Sequence, residues 1–373
     1  MPVLAQGVQD VATLTEVAIV GDGSRSLAIA GALALHGHPV RVWALEQEVP
    51  AECEIRYRRA RVGHLRGQVG YAEVSSDPAA VISGVSVLIL SSETRDYPHM
   101  LQRIAAHLAN GQTLILVNAP LGAALELSTL LAGLRADLQV NILEMGSLFD
   151  SVKIEGKVAL INGPRACVSI CGISRNQTRR GLALASGLWG GLVPASNVLE
   201  RGFTEAERLL RPLLRLFRLI GFKASDTGSW EQVVTPALVS IVSGIGGELK
   251  NVAKAYGCVI PGLSQILKDY VRADGDSLAE SLLTIAQILI QEERFRPHTA
   301  GQLVEQLRCE AAETLVLVES LARLARVPVP LVDSMIELSS FVVEQDLRRE
   351  GRGLADLGLV GCDVSEVVEL VNA

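Results

Sequence analysis

Apolar residues follow two different rhythms along the chain, and the change of rhythm predicts two domains. Up to about residue 195, short continuous apolar runs alternate with helical spacing. Glu16–Val20 (EVAIV) is a β-branched run that ends in glycines. Arg25–His36 puts Leu27, Ile29, Ala30, Leu33 and Leu35 on a broad apolar face, and His36-Gly37-His38 stops it. Val40–Trp43 predicts a second strand. Val85–Leu90 (VSVLIL) and Thr113–Val117 (TLILV) are unbroken apolar runs of the kind that parallel strands show when both faces are covered. A helical stretch around Met100–Leu108 lies between those two. Val140–Glu144, Val152–Ile154, Val158–Ile161 and Ala166–Cys171 predict further strands, some of them antiparallel. From Glu205 onward the spacing is almost entirely helical: Glu205–Ile220, Thr235–Tyr256, Ser277–Glu293, Ala300–Arg326 and Pro330–Arg349. Gly190, Gly191 and Pro194 cluster where the rhythm changes. The expected architecture is an N-terminal extension (1–14), a doubly wound parallel α/β domain of the Rossmann type (15–195) and an all-α domain (196–373). Ligands in such chains bind at the carboxyl ends of the parallel strands, towards the cleft beside the second domain.

Composition sharpens this picture in three places. Hydrophobic residues make up 49% of the 373 residues and charged residues 20%, so a large core can be buried and disorder is excluded as the main state. Aromatics are only 4%, so that core is aliphatic. A net charge of −7, from 34 basic and 41 acidic residues, argues against a sequence-independent nucleic-acid partner. Mean hydropathy is +0.32, yet the best apolar stretch, Leu182–Ala195, is broken by glycines and Pro194 and falls short of a membrane span. The N-terminus lacks a basic n-region and carries Asp10, unlike a secretory signal. With six scattered cysteines, reduced thiols in a cytoplasm are expected. Cys167 and Cys171 share a face if they lie on a strand, but no further ligands accompany them, so no metal is expected.

The most specific local chemistry sits in VAIVGDGSRSLAIAGALALHGHPVRVWAL. Gly21 and Gly23 follow a strand and open a helix. Gly21 permits the tight turn, and Gly23 lets main-chain amides approach a diphosphate at the positive end of the helix. Ser24 and Arg25 continue the turn, and Ser26 stands in place of a third glycine. The pattern predicts binding of a dinucleotide, the alternative being a structural turn with no ligand. A carboxylate at the end of the second strand would hold the adenosine ribose and repel a 2′-phosphate, but that position is Ala44. The cofactor expected is therefore NADP, with NAD as the alternative. Arg25, Arg41, Arg56, Arg58, Arg59, Arg61 and Arg66 are either phosphate partners or a solvated basic loop. Trp43 either stacks on adenine or belongs to the core. Ser91, Ser92 and Asn118 follow apolar strands at their carboxyl ends, as cofactor contacts or as turn residues.

Several segments, in order, resemble the opine dehydrogenases of the octopine/nopaline dehydrogenase group. They are the G-x-G turn, LVNAPLGAALEL (Leu116–Leu127), the ILE of Ile142–Glu144 before KIEGKVALI, NVLE (Asn197–Glu200), GELKNVAKAYG (Gly247–Gly257) and ARVPVPLVDSMIELSSFVVEQDLRREGRGLADLGL (Ala325–Leu359). The resemblance implies a Rossmann domain followed by a helical domain like the C-terminal one of 6-phosphogluconate dehydrogenases. It also implies reductive condensation: an amine and a 2-keto acid form an imine, which NAD(P)H reduces. Glu144 then lies at the cofactor or the substrate. The family's acid/base histidine, before a proline, falls at Arg211-Pro212, and its supporting aspartate falls at Glu310. An arginine stays protonated at any working pH, so Arg211 is expected to clamp or polarise a carboxylate or carbonyl, with Glu310 holding it. The alternative is an ordinary helix-surface ion pair. His298 is the only histidine of the second half; it either replaces the missing acid from a different element or simply sits on a loop after Pro297. Asn197, Glu205 and Arg211 are the candidate substrate-binding residues. The partners expected are a 2-keto acid and an amino acid, with a homodimer open to the amphipathic helices. A non-catalytic dinucleotide-binding protein, a sensor or subunit, is the second reading.

Overall fold

The computed structural model describes residues 14–21, 23–44, 49–58, 66–91, 96–165, 167–221, 229–271, 277–295 and 298–372. Two compact units divide the chain after Val198, with Asn372 counted to the first.

The first unit is built on β1 (Val17–Val20), α1 (Ser24–Leu35), β2 (Val40–Trp43), β3 (Glu52–Arg58), β4 (Arg66–Gly70), β5 (Glu73–Ser75), α2 (Pro78–Ile82), β6 (Val87–Leu90), α3 (Tyr97–Ile104), β7 (Thr113–Val117), α4 (Ala123–Leu134), β8 (Asn141–Met145), β9 (Phe149–Glu155), β10 (Val158–Pro164), β11 (Val168–Gly172), α5 (Arg175–Ala185) and β12 (Leu192–Pro194). The main sheet runs β12-β11-β8-β7-β6-β1-β2-β5. From β5 to β8 all neighbours are parallel, and β11 pairs antiparallel with β8. The central strands are unbroken apolar runs because helices cover both faces: Val17–Val20 and Val87–Leu90 are fully buried.

A second, four-stranded sheet, β4-β3-β10-β9, corrects the expectation of a basic loop after β2. Its strands come from two separate insertions: β9 and β10 match the runs expected at Val152–Ile154 and Val158–Ile161, whereas β3 and β4 are unexpected. It shares one core cluster with α1 and the main sheet, through Ile55, Tyr57, Ala159 and Ile161 against Ala28 and Ala32. A Cβ at Gly31 would lie 2.2 Å from Ile55 Cδ1, so the absent side chain lets strand and helix touch. Glu54 takes up two of the arginines once read as phosphate partners: Arg56 at 2.7 Å and Arg66 at 2.7 Å. Arg59 and Arg61 lie outside the described residues.

The second unit comprises α6 (Val198–Thr204), α7 (Ala206–Gly221), α8 (Ser229–Val233), α9 (Pro236–Ala255), α10 (Leu263–Ile266) with a π-turn over Leu267–Val271, α11 (Leu278–Phe295), α12 (Ala300–Leu324), α13 (Pro330–Val343), α14 (Leu347–Glu350) and α15 (Val364–Asn372). The single helix expected over Pro330–Arg349 is two. Glu344 turns left-handed, at φ 56°, and ends α13. Among the described residues no helix is long and apolar enough to cross a membrane, and no group of three metal ligands forms.

Two of the sequence motifs meet here. Buried Glu248, from GELKN on α9, accepts hydrogen bonds from Leu331 N at 2.8 Å and Val332 N at 3.0 Å, capping α13 just after the VPVP segment. Arg348, from the terminal motif, bonds Glu319 at 2.8 Å and Glu337. Burial, then the neighbouring Glu319, pushes the Asp333 carboxyl above its ordinary range.

Glu248→Ala is expected to cost about 2 kcal/mol in denaturant unfolding, because two charge-assisted caps are lost, and Glu248→Gln about half of that. Asp333 gives a pH signature. Its raised pKa means that the folded state is penalised above the folded pKa and not below the ordinary carboxylate range. Asp333→Asn should therefore raise the melting temperature at pH 7, with the gain fading as pH falls below about 4.

Candidate functional site

The turn after β1 has the geometry of an anion site. Gly21 adopts φ +125°, and a Cβ there would lie 2.9 Å from Ser26 Oγ and 3.4 Å from Ser91 O. Gly23 is the N-cap of α1. It offers no capping side chain, and the first turn holds no acid. Its φ of −65° suits any residue, and a Cβ on it would meet nothing within 4 Å. Neither backbone strain nor internal packing demands glycine at that position. Open space in front of a helix N-terminus is what a diphosphate needs. Ser26, in the third glycine's place, is fully buried and donates to Ser91 O at 2.5 Å, tying the turn to the end of β6. Ser91 Oγ is buried with no hydrogen-bond partner, an unsatisfied hydroxyl beside the turn. The residues present thus fit a dinucleotide. Asn118, just past β7, holds a left-handed φ of 61°, a strained state for a non-glycine residue that clusters at functional sites.

Several expected cofactor contacts are turned inward instead. Arg25 donates to Ser147 Oγ at 3.0 Å and Phe149 O at 3.3 Å. Arg41 holds Glu16 bidentately and reaches Ala80 O and Ser83 O. Trp43 is fully buried and donates to Ser76 O at 3.0 Å, so it does not stack on adenine. Glu144 is fully buried and accepts from Ala124 N at 2.7 Å, capping α4 rather than reaching for a ligand. Asn197 donates to Asn372 Oδ1 at 3.2 Å. Ala44 donates its N–H to Ser75 O, and its methyl group offers a ribose no hydrogen bond. Ser24 begins α1. Ser92 lies outside the described residues.

In the helical unit the notable feature is a ladder of buried ion pairs. Arg208, Arg211, Arg215 and Arg218 are spaced three, four and three residues apart on α7, which puts them on one face. Arg208 pairs with Glu313 at 3.6 Å. Arg211 pairs with Glu207 at 2.8 Å and Glu292 at 2.8 Å. Arg215 pairs with Glu310 at 2.6 Å, and Arg218 with Glu293 at 3.1 Å. Arg218 and Arg215 also lie over the buried Trp230 ring, at 4.6 and 5.9 Å. Burial pulls the Arg211 guanidinium down, but the charges of Glu292 and Glu207 more than offset this and hold it well above its ordinary value. Gln306 Oε1 accepts from Arg215 Nη1 at 2.6 Å, so its amide nitrogen faces His298 Nε2 at 2.8 Å as the donor. This fixes the His298 proton on Nδ1 in the neutral ring.

No family model matches the chain. An opine dehydrogenase from Arthrobacter sp. (strain 1C) is 25% identical over 364 residues, covering 95% of this chain and 98% of that protein. Octopine dehydrogenase, solved with NADH and L-arginine, superposes with a TM-score of 0.74 at 14% identity, covering 95% and 98% of the two chains. Yersinopine dehydrogenase bound to NADP+ gives 0.61 at 14% identity, covering 96% and 98%. A ketopantoate reductase from Ralstonia eutropha JMP134 gives 0.60 at 17% identity, covering 88% and 99%.

In sequence and fold the chain is opine dehydrogenase-like.

Arg211 and Glu310, the two positions onto which the resemblance would place an acid/base pair, do not pair with each other. Glu310 binds Arg215, one turn along α7, and Arg211 takes Glu207 and Glu292. The expectation that Glu310 holds Arg211 is corrected accordingly. The pairs are largely buried, not on the helix surface. Glu205, a candidate for substrate, bonds Arg201 at 3.1 Å. The sequence does carry the ladder's signal, R-x-x-R-x-x-x-R-x-x-R on α7 with Glu292-Glu293 and E-x-x-E at 310 and 313, but only the fold shows which carboxylate faces which arginine.

Arg211→His removes the guanidinium that compensates two carboxylates. It should cost about 3 kcal/mol of stability at pH 8, measured by denaturant titration. Part of that loss should return below about pH 6, because a histidine facing Glu207 and Glu292 has a raised pKa and stabilises only while protonated.

Proposed function

We propose that the protein is an NAD(P)H-dependent oxidoreductase that condenses an amino acid's amine with a 2-keto acid and reduces the resulting imine. The observation that carries this reading is the glycine-capped N-terminus of α1, open in front of Gly23 and flanked by the unsatisfied Ser91 hydroxyl. Main-chain N–H groups at the start of α1 would hold the diphosphate, with Ser91 and Asn118 at the strand ends nearer the reacting ring. The nicotinamide, when bound, supplies a hydride.

Two tasks fall to the chain's own side chains. Attack of the amine on the carbonyl gives a carbinolamine, whose hydroxyl must take up a proton to leave as water and form the imine. Water must also be kept from the imine once it forms. A permanently charged Arg211, saturated by its own carboxylates, does not exchange protons. His298 is the side chain of this network suited to proton transfer, and it takes the general-acid role. A second reading, a cofactor-binding protein without turnover, draws on the same closed ladder around Arg211.

The test follows nicotinamide absorbance while pyruvate and other 2-keto acids are offered with a panel of amino acids. Turnover with at least one pair is expected. His298→Gln should lower kcat by about 100-fold with cofactor affinity unchanged. Gly21→Val should abolish binding of both NADPH and NADH by calorimetry, because a side chain at φ +125° collides with the turn. Tight NADPH binding with no turnover across the panel would favour the second reading.

A further inference from the structure

Helix α3 crosses the carboxyl edge of the sheet rather than running straight back from it. At its start Tyr97 Oη donates to Val117 O, at the end of β7, at 2.6 Å. One turn on, the Met100 methyl lies 3.2 Å from where a Cβ of Gly21 would be, at the end of β1. One turn further, the Arg103 guanidinium lies 4.8 Å from the centroid of the Trp43 ring, at the end of β2. In the sheet order β7-β6-β1-β2, these three contacts carry the helix sideways from the turn toward Ala44. Arg103 is exposed, and among the described residues it makes no ion pair. Trp43 is completely covered, so its ring face serves as a platform that orients the arginine.

The strand-end position next to this arginine is the one that decides between the two nicotinamide cofactors. A carboxylate there would bind the ribose hydroxyls, but Ala44 leaves it empty of charge. The hydroxyl-bearing Ser75 ends the neighbouring strand, paired with Trp43 and accepting the Ala44 N–H, and Ser76 follows it, accepting from the Trp43 indole. Of the arginines on this side of the unit, Arg41 is consumed by Glu16 and two carbonyls, and Arg25 by Ser147 and Phe149. Arg103 is the described arginine left facing outward beside Ala44.

We propose that Arg103, stacked on Trp43, receives the 2′-phosphate of NADPH and is the residue that selects this cofactor over NADH. The proposal rests on the reading that the turn at Gly21 binds a dinucleotide. A planar guanidinium held by its face presents its N–H edge to a phosphate bidentately, and the absent acid at Ala44 removes the opposing charge.

Calorimetry with NADPH and NADH tests the proposal on the intact protein. The wild type should bind NADPH at least about 30-fold more tightly than NADH, as expected for charge-assisted bonds to one phosphate. Arg103→Ala should erase that preference by weakening NADPH while leaving NADH within about twofold. Ala44→Asp should reverse it, by pairing with Arg103 and repelling the phosphate. Arg103→Ala lies at an exposed site, and its melting temperature reports that the fold is intact. Three results would overturn the proposal: a wild-type preference for NADH, an Arg103→Ala variant that keeps full NADPH preference, or equal weakening of both cofactors. Binding of neither cofactor by the wild type would instead sink the dinucleotide reading on which the proposal stands.

Discussion

The functional half of the first unit hangs on the way the chain leaves β1: a strand buried on both faces delivers its last residue into a glycine at φ +125°, and a helix begins three residues later without a capping side chain. Such a helix start concentrates partial positive charge and unsatisfied donors in one small volume, and water or an anion must meet them. The surrounding contacts keep that volume in place. Ser26 ties the helix to β6, Met100 packs against Gly21 from α3, and the second sheet presses on the far side of α1 through Ile55 and Gly31. A helix held on three sides cannot relax to satisfy its own end, so the binding geometry exists before the ligand arrives.

The helical unit solves a different problem. Four arginines on one face of α7 need counter-charges from α11 and α12, and they receive them residue by residue. Buried ion pairs of this sort add little stability over an apolar core, since desolvation cancels most of the attraction. Their effect is on register: slipping α7 by one turn would leave several charges facing the wrong partner, at a cost no apolar seam would impose. Trp230 beneath Arg215 and Arg218 adds a flat face that fixes the guanidinium planes. The network therefore acts as a positioning frame, and Gln306 extends it to His298.

Much of this was legible in the residues. The apolar runs that became β1, β6 and β7 are too continuous to be anything but strands covered on both sides, and the G-D-G-S turn between strand and helix has one natural use. The second sheet was legible only in part, since β9 and β10 follow from their apolar runs and β3 and β4 do not. Its strands sit at 52–70 and 149–164, far apart in sequence, and the first pair is so rich in arginine that charge masks the alternation. Glu144, Arg25 and Arg41 were read as ligand groups because residue type and position fit. Their partners, a helix N-terminus, two backbone or hydroxyl oxygens and Glu16, come from elsewhere in the fold. Trp43 failed in the instructive direction. Its neighbour Ala44 drew attention to the right strand end, but the side chain that matters there arrives from α3, sixty residues later.

That contrast explains how the chain keeps its fold at such low identity to its solved relatives. The cofactor grip uses main-chain atoms and two glycines, so almost every other residue around it can drift while the geometry survives. Proton transfer and cofactor selection use single side chains, which can be replaced by groups from other elements provided that the atoms end up in the same place. Arg211 and Glu310 are bound into the ladder, while a histidine lies three hydrogen bonds from Glu310 through Gln306 and Arg215. Matching the chain to its relatives position by position finds the glycine turn, and the three-dimensional contacts show which partners Arg211 and Glu310 take.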